Sequence, residues 1–308
     1  MQLTVIICTH NPRKDYLART LEALKAQTLP REQWELLLID NASKEPLAGQ
    51  WDLSWHPHAR HICEEELGLT PARLRGIREA KAELLVFVDD DNVLAADYLA
   101  NGRQIANEYP KLGAWSGQVL PEFEHPPDPV TEGVLGCLCI RKLNTDYWGN
   151  QCSLGVMPFG AGMCVRSVVA DKYLHTVLGS AVRRKLGRTG ASLVSWEDID
   201  MALCALDIGM GTGLFRKLQI THLISKRRLD HAYLIRVAED MHMSGLVFRR
   251  IRGLDQVAGS RIEQLVADFL WWYRWLRVGR FGKKFLLAER RGVKRGVIIS
   301  RALQPDNQ

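Results

Sequence analysis

Neither of the two common nucleotide loops occurs in this chain. No Gly-x-Gly-x-x-Gly follows the first apolar run, and no Gly-x-x-x-x-Gly-Lys-Ser/Thr occurs anywhere, so a standard dinucleotide fold and a P-loop are both unsupported. The seven cysteines (8, 63, 137, 139, 152, 164 and 204) are odd in number and contain no Cys-x-x-Cys pair. That argues against a disulfide frame or a zinc site, and for reduced thiols in a cytoplasmic protein. Long apolar runs are lacking too. The opening MQLTVIICTHNPRK has a six-residue apolar run with no basic leader, so neither a signal peptide nor a membrane span is expected. Internal repeats and low-complexity tracts are absent.

What is present suits a packed α/β protein. The 308 residues allow one large domain, or one domain with an extension, and 46% hydrophobic against 25% charged residues supports a core. The net charge of +6 suggests anionic partners: nucleic acid, phosphorylated ligands or an acidic membrane. LTVIICT (3–9) and WELLLID (34–40) read as buried strands. Between them, Leu17, Leu21 and Leu24 recur at helical spacing. A helix is expected over 70–82, with Pro71 in its first turn, and a third strand over 83–92. The order β-α-β-α-β predicts a doubly wound sheet that binds ligands beyond the carboxyl ends of its strands. THN, DNAS and DDDN all fall at such ends.

FVDDDN (87–92) packs three carboxylates behind an apolar run. With no phosphate-binding loop, a divalent metal is the natural means of neutralising a diphosphate, and Mg²⁺ and Mn²⁺ favour carboxylate oxygens. A solvated turn is the plainer alternative.

At this point the residues resemble family 2 glycosyltransferases of the GT-A fold, within the nucleotide-diphospho-sugar transferase superfamily. The likeness runs through THNPR (9–13), LLIDNAS (37–43), GLTPARLRGI (68–77), FVDDDN (87–92), FGAGM (159–163), WEDID (196–200) and THLISKRRL (221–229), in order. It implies a Rossmann-like, doubly wound mixed sheet over residues 1–235, with a C-terminal helical extension over 236–308. It also implies an inverting hexosyltransferase. Thr9, His10, Asn11 and Arg13 then belong to the nucleotide-sugar site, with Asp40 at the pyrimidine ring and Arg73 facing the nucleotide. Asp89, Asp90 and Asp91 correspond to the DxD motif: Asp91 is the leading ligand for Mn²⁺ or Mg²⁺, Asp89 serves metal or ribose, and Asp90 the ribose. His222 matches a further metal ligand, and Arg228 a basic residue able to reach the diphosphate. The family's processive QxxRW motif is absent, which disfavours a polymer-making synthase.

Glycosyl transfer requires stabilisation of a leaving diphosphate and removal of a proton from an acceptor hydroxyl. Asp198 matches the family's base, with Glu197 beside it, and Glu197 and Asp200 are available to orient the acceptor or cap the helix. A helix N-cap with an acidic first turn is the plain reading of the same stretch, and the two are compatible. Gly160 and Gly162 would let backbone approach a sugar, or simply form a turn. His222 alone would read as a core histidine. The proline-rich loop 121–155 offers Tyr147 and Trp148 as acceptor-side stacking platforms, with Trp196 a third, or is merely an ordered loop.

From residue 249 onward there are 14 Lys or Arg against five Asp or Glu. Within this tail, residues 263–288 read as one interfacial helix on anionic lipid, inserting Trp271, Trp272 and Trp275 while Arg274, Arg277, Lys283 and Lys284 meet phosphates. A helical pair packed on the core or on a second subunit, as in a homodimer, is the alternative. The expected partners are a nucleoside diphosphate sugar, foremost a UDP-sugar, and a glycan or lipid-linked hydroxyl acceptor, serving polysaccharide biosynthesis. The expected location is cytoplasmic, peripheral to the inner face of the membrane. A sugar-1-phosphate nucleotidyltransferase lacks its Gly-rich, Arg-containing first loop here. A nucleic-acid-binding protein would leave DDDN unexplained, so nucleic acid is not an expected partner.

Overall fold

In the computed structural model, which describes residues 1–152, 157–190, 192–254 and 261–303, β1 (Leu3–Thr9) is buried almost without interruption. Continuous apolar sequence is what a strand covered on both faces requires. The helix α1 (Lys14–Lys25) turns Leu17, Leu21 and Leu24 inward. β2 (Trp34–Asn41) is buried along its whole length. Next comes β3 (Ala59–Glu64), only partly buried, which the sequence reading passed over. ARHICE is polar because β3 lies at the sheet's edge, with β2 as its only neighbour among the described residues.

The helix α2 (Leu69–Glu79) follows Gly68, whose φ of 144° is open to glycine alone at little cost. It buries Ala72, Leu74 and Ile77 together with Arg73, the one charged side chain on that face. β4 (Leu84–Asp89) ends the expected third strand early. Asp90 and Asp91 form a turn, and the chain resumes as β5 (Asn92–Leu94).

The strands β1, β2, β3 and β4 are parallel, in the order β3-β2-β1-β4. The winding reverses between β1 and β4, so the ends of those two strands form the topological switch point where such sheets take ligands. The rest of the sheet is antiparallel. After α3 (Tyr98–Glu108) come β6 (Leu112–Phe123), β7 (Tyr147–Gly149), β8 (Cys164–Arg166), α4 (Ser167–Leu178), α5 (Glu197–Asp207) and β9 (Gly211–Ile224). β8 pairs with β4 and β6, and β9 with β5 and β7. The described residues thus form a nine-stranded mixed sheet, the expected GT-A-like class.

The chain divides into two units. The first comprises Met1–Glu122, Cys139–Gly190 and Glu197–Ile224; the second comprises Phe123–Leu138, Ala191–Trp196 and Ser225–Gln308. The C-terminal unit therefore begins at Ser225 rather than residue 236 and recruits two earlier segments. It is built on α6 (His231–Ile251), α7 (Arg261–Arg277) and α8 (Arg280–Arg301). Gly292 and Gly296 let α8 lie directly on α6: a Cβ at Gly292 would come within 2.2 Å of the Glu239 carbonyl oxygen, and one at Gly296 within 2.9 Å of that of Met243. The single interfacial helix expected over 263–288 is instead two helices, broken at Val278 and Gly279, because Gly279 adopts an extended conformation ahead of α8. Among the described residues, no helix is long and apolar enough to cross a membrane.

Candidate active site

The loops after β1 and β2 are sewn together at the carboxyl edge of the sheet. The His10 ring contacts the Asn41 carbonyl at 2.7 Å through Nδ1. A carbonyl only accepts, so Nδ1 carries the proton and Nε2 accepts from the Asn11 amide at 2.7 Å. Asn11 adopts a φ of 48°. Its amide N–H donates to Ser43 Oγ, and its side-chain oxygen accepts from the Lys44 N–H. Asp40 accepts from the backbone N–H groups of Ser43 and Leu47 at 3.1 and 3.0 Å. Both its oxygens thus shape the loop that would receive a base, and a ring nitrogen would have to share one of them. Arg13 is turned to Asp15 at 2.5 Å and stacks on Tyr16.

Beside them, the Thr9 hydroxyl donates to the Asp90 carboxylate, tying the end of β1 to the acidic turn. Asp91 accepts from the Asn92 side chain at 2.9 Å and lies 3.6 Å from His222 Nε2. The cause is register: β5 pairs with β9 so that Asn92 faces His222. Asp89 has its pKa raised, first by its recess from water and then by the charge of Asp91, while Arg73 opposes the shift.

Arg73 is the hub. It is 3% exposed and lies 3.1 Å from Glu197 and 3.7 Å from Asp89. Burial opposes its charge, but Glu197 and Asp89 outweigh burial and hold it firmly protonated. Burial raises the Glu197 pKa to about 7, with Asp198 adding to the shift and Arg73 opposing it. The Glu197 Oε2 atom has no hydrogen-bond partner among the described residues. Asp198 is half-buried at the start of α5. One of its oxygens accepts from the Ile199 N–H and the other from the Gly160 N–H, each at 2.8 Å. At Gly160 a Cβ would come within 2.5 Å of an Arg73 nitrogen, so glycine is needed there for close packing. Gly162 has a different reason, with a φ of 71° and a carbonyl that accepts from the Tyr98 hydroxyl.

Other expected residues of the first unit are engaged elsewhere. Asp200 does not orient an acceptor; it is buried in an ion pair with Arg183 at 2.6 Å. Tyr147 and Trp148 are exposed, but β7 joins β9 opposite residues 212–214, nine residues before His222. At about 3.3 Å per residue, that is about 30 Å along the strand. Trp148 leans on Tyr109 instead, with ring centroids 6.1 Å apart. Trp196 and Arg228 belong to the second unit. There the Trp196 indole stacks on Phe248 and donates to the Met241 carbonyl. Arg228 lies in the short turn Lys226–Leu229.

Residues 4–154 match the family model described as Glycosyl transferase family 2. The chain belongs to that family. The matched residues include Arg73 and the Asp89–Asp91 turn but stop short of Glu197, Asp198 and His222, which are tied to the family site by the geometry above. Glycosyltransferase AglE of Haloferax volcanii is 29% identical over 92 residues, covering 29% of this chain and 30% of that protein. This family 2 chain therefore spans about a third of the length of the curated relative it matches. Among solved structures it is similar to S. aureus TarS 1–349 in complex with UDP-GlcNAc, with a TM-score of 0.55, 13% identity and coverage of 99% of this chain and 84% of that one. A further structure of S. aureus TarS gives a TM-score of 0.51 at 13% identity, covering 91% of this chain and 44% of that one. These likenesses establish the fold.

In this family 2 site, no three His, Cys, Asp or Glu side chains among the described residues are arranged to hold a metal by themselves. Mg²⁺ and Mn²⁺ commonly take one or two carboxylates and complete their shell with phosphate oxygens and water. Asp91 with His222, and Asp89 with its raised pKa, fit an ion of that kind arriving with a diphosphate. Two arginines escaped the sequence reading. Arg188 faces Asp89 and Glu197 electrostatically. Arg141 stacks on Phe159 at 3.5 Å, and burial lowers its pKa to about 10 while Asp198 helps retain its proton. Neither has a local motif; only the folded chain brings them in.

Proposed function

We propose that this chain transfers a sugar from a nucleoside diphosphate donor, a UDP-sugar first of all, to a hydroxyl of a glycan or lipid-linked acceptor, with inversion at the anomeric carbon. The observation that carries the reading is the Asp198 carboxylate. It is fixed by the Gly160 and Ile199 amides, and it adjoins a buried Arg73–Glu197 pair that also reaches Asp89. Binding of UDP-GlcNAc by the structurally similar TarS supports the choice of donor.

The roles follow from environment. Asp198, half-buried where Glu197 is enclosed, accepts the proton of the incoming hydroxyl. That hydroxyl then attacks the anomeric carbon from the face opposite the diphosphate, in a single displacement. Glu197, buried behind it, does not meet the acceptor; it balances Arg73 and keeps that guanidinium fixed. Arg73 and Arg188 supply positive charge beside the acidic turn. Asp91, Asp89 and His222 would hold Mn²⁺ or Mg²⁺, which would neutralise charge on the departing diphosphate.

A thermal-shift panel of nucleoside diphosphate sugars, with and without Mn²⁺, tests this. Stabilisation by UDP-sugars that depends on the metal is expected. A folded protein that no nucleoside diphosphate sugar stabilises under either condition would overturn the reading. NMR of the product's anomeric coupling decides the stereochemistry, and retention would remove Asp198 from its role.

A further inference from the structure

Helix α7 carries two unlike faces. On one, the Trp271 ring lies beneath the Arg290 guanidinium and the Trp275 ring beneath the Lys283 ammonium, each at 4.2 Å, while Arg290 also donates to Asp268. Arg290 and Lys283 belong to α8, so this face is spent on the neighbouring helix. On the other face, Leu265, Phe269, Leu270, Trp272, Tyr273 and Leu276 are exposed, Leu265 and Phe269 at 69% each. At 100° per residue these six fall within an arc of about 160°. That is wider than a surface helix needs in order to face its own core. A contiguous apolar stripe of this kind marks a contact surface.

The charge around the stripe selects its occupant. Residues 261–301 hold eleven Lys or Arg against three Asp or Glu. Arg274, Arg277, Arg280 and Lys284 are all exposed; at the same spacing Arg277 falls inside the arc, near its edge beside Leu270, and Arg274 about 40° beyond that edge. A second copy of the chain would bring one such positive excess against another. A nucleic acid would satisfy the charge, yet it offers no partner for Leu265, Leu270 and Leu276. An anionic bilayer satisfies both, with an acyl boundary for the apolar residues and phosphates for the cations.

We propose that α7 lies in the plane of an anionic phospholipid surface. Phe269, Trp272 and Leu276 enter the headgroup–acyl boundary, and Arg274, Arg277, Arg280 and Lys284 meet lipid phosphates. Trp271 and Trp275, expected from sequence to insert, stay against α8. This attachment does not depend on the transfer reaction.

The full chain is sedimented with phosphatidylcholine vesicles and with vesicles in which ~30% of the lipid is phosphatidylglycerol. Binding is expected to the anionic vesicles only, falling several-fold at ~0.5 M salt. The double variant Phe269→Glu/Leu276→Glu should bind at least about tenfold more weakly. Its thermal unfolding should match that of the parent, because both side chains are exposed. Three results would overturn the proposal: no binding to anionic vesicles at low salt, equal binding by the double variant, or a lipid-free dimer that the double variant disperses. Single-stranded oligonucleotide bound as tightly as anionic vesicles, by parent and variant alike, would also overturn it.

Discussion

In the first unit Arg73 meets Glu197 at 3.1 Å and Arg183 meets Asp200 at 2.6 Å, with almost no exposure on either side. In the second, Arg291 and Arg295 each reach Glu239 at 2.9 Å across a surface open to water. The distances are alike; the surroundings are not. A pair cut off from water leaves a stranded charge when one member is removed, costing about 3–5 kcal/mol, whereas an exposed pair contributes about 0–1 kcal/mol. The two enclosed pairs of the first unit are thus internal organisation around the candidate site. In the second unit charge forms a surface field.

Each prediction presses on that difference, beginning with the largest effect. Asp198→Asn removes the half-buried carboxylate while keeping its size and the oxygen that accepts from Gly160. Nucleoside diphosphate release should fall about 10²- to 10⁴-fold, with donor affinity nearly unchanged. A variant retaining full turnover would show that the cluster is structural. Arg73→Ala strands the buried Glu197, and should lower unfolding stability in urea by about 3–5 kcal/mol. If it costs no more than an exposed pair, the contrast between the units fails.

The pH dependence is next in size. The Glu197 pKa is raised from 4.5 to about 7, so between those values the folded state holds a proton that the unfolded state releases. Stability from this group is therefore complete below about pH 4.5 and is lost as pH rises through 7, by up to about 3 kcal/mol. Glu197→Gln should flatten that decline in denaturant titrations at several pH values. The smallest effect belongs to the second unit. Arg291→Ala should change stability by less than about 1 kcal/mol, and less still at high salt.

The sequence was most legible where a strand is buried on both faces. LTVIICT, WELLLID and LLVFVD declare β1, β2 and β4 because both faces are covered and most positions must be apolar; among the exceptions, Thr4 and Glu35 are buried and hydrogen-bonded to each other at 2.7 Å. It was least legible at the margins. β3 carries Arg60, His61 and Glu64 since, among the described residues, one of its sides faces no strand. Asp198, Arg73 and the Asp89–Asp91 turn could be found through motifs. Arg141 and Arg188 could not, because their place depends on folding across long stretches of chain. Aromatic type alone misplaced Tyr147 and Trp148. Exposed aromatic residues in a loop look like stacking platforms, but their location is set by which end of β9 they pair with. In α7, likewise, composition suggested a membrane-facing helix, yet only the pairing with α8 shows which tryptophans face outward.

The account rests most heavily on a diphosphate site at the ends of β1 and β4. Calorimetric titration of UDP with Mn²⁺ into the intact chain and into Asp91→Asn tests it directly. The account predicts binding to the parent that is abolished by EDTA and weakened at least about tenfold by the substitution, since the carboxylate proposed to anchor the metal is gone. Equal UDP affinity in the two proteins, or none in a well-folded parent, would contradict it.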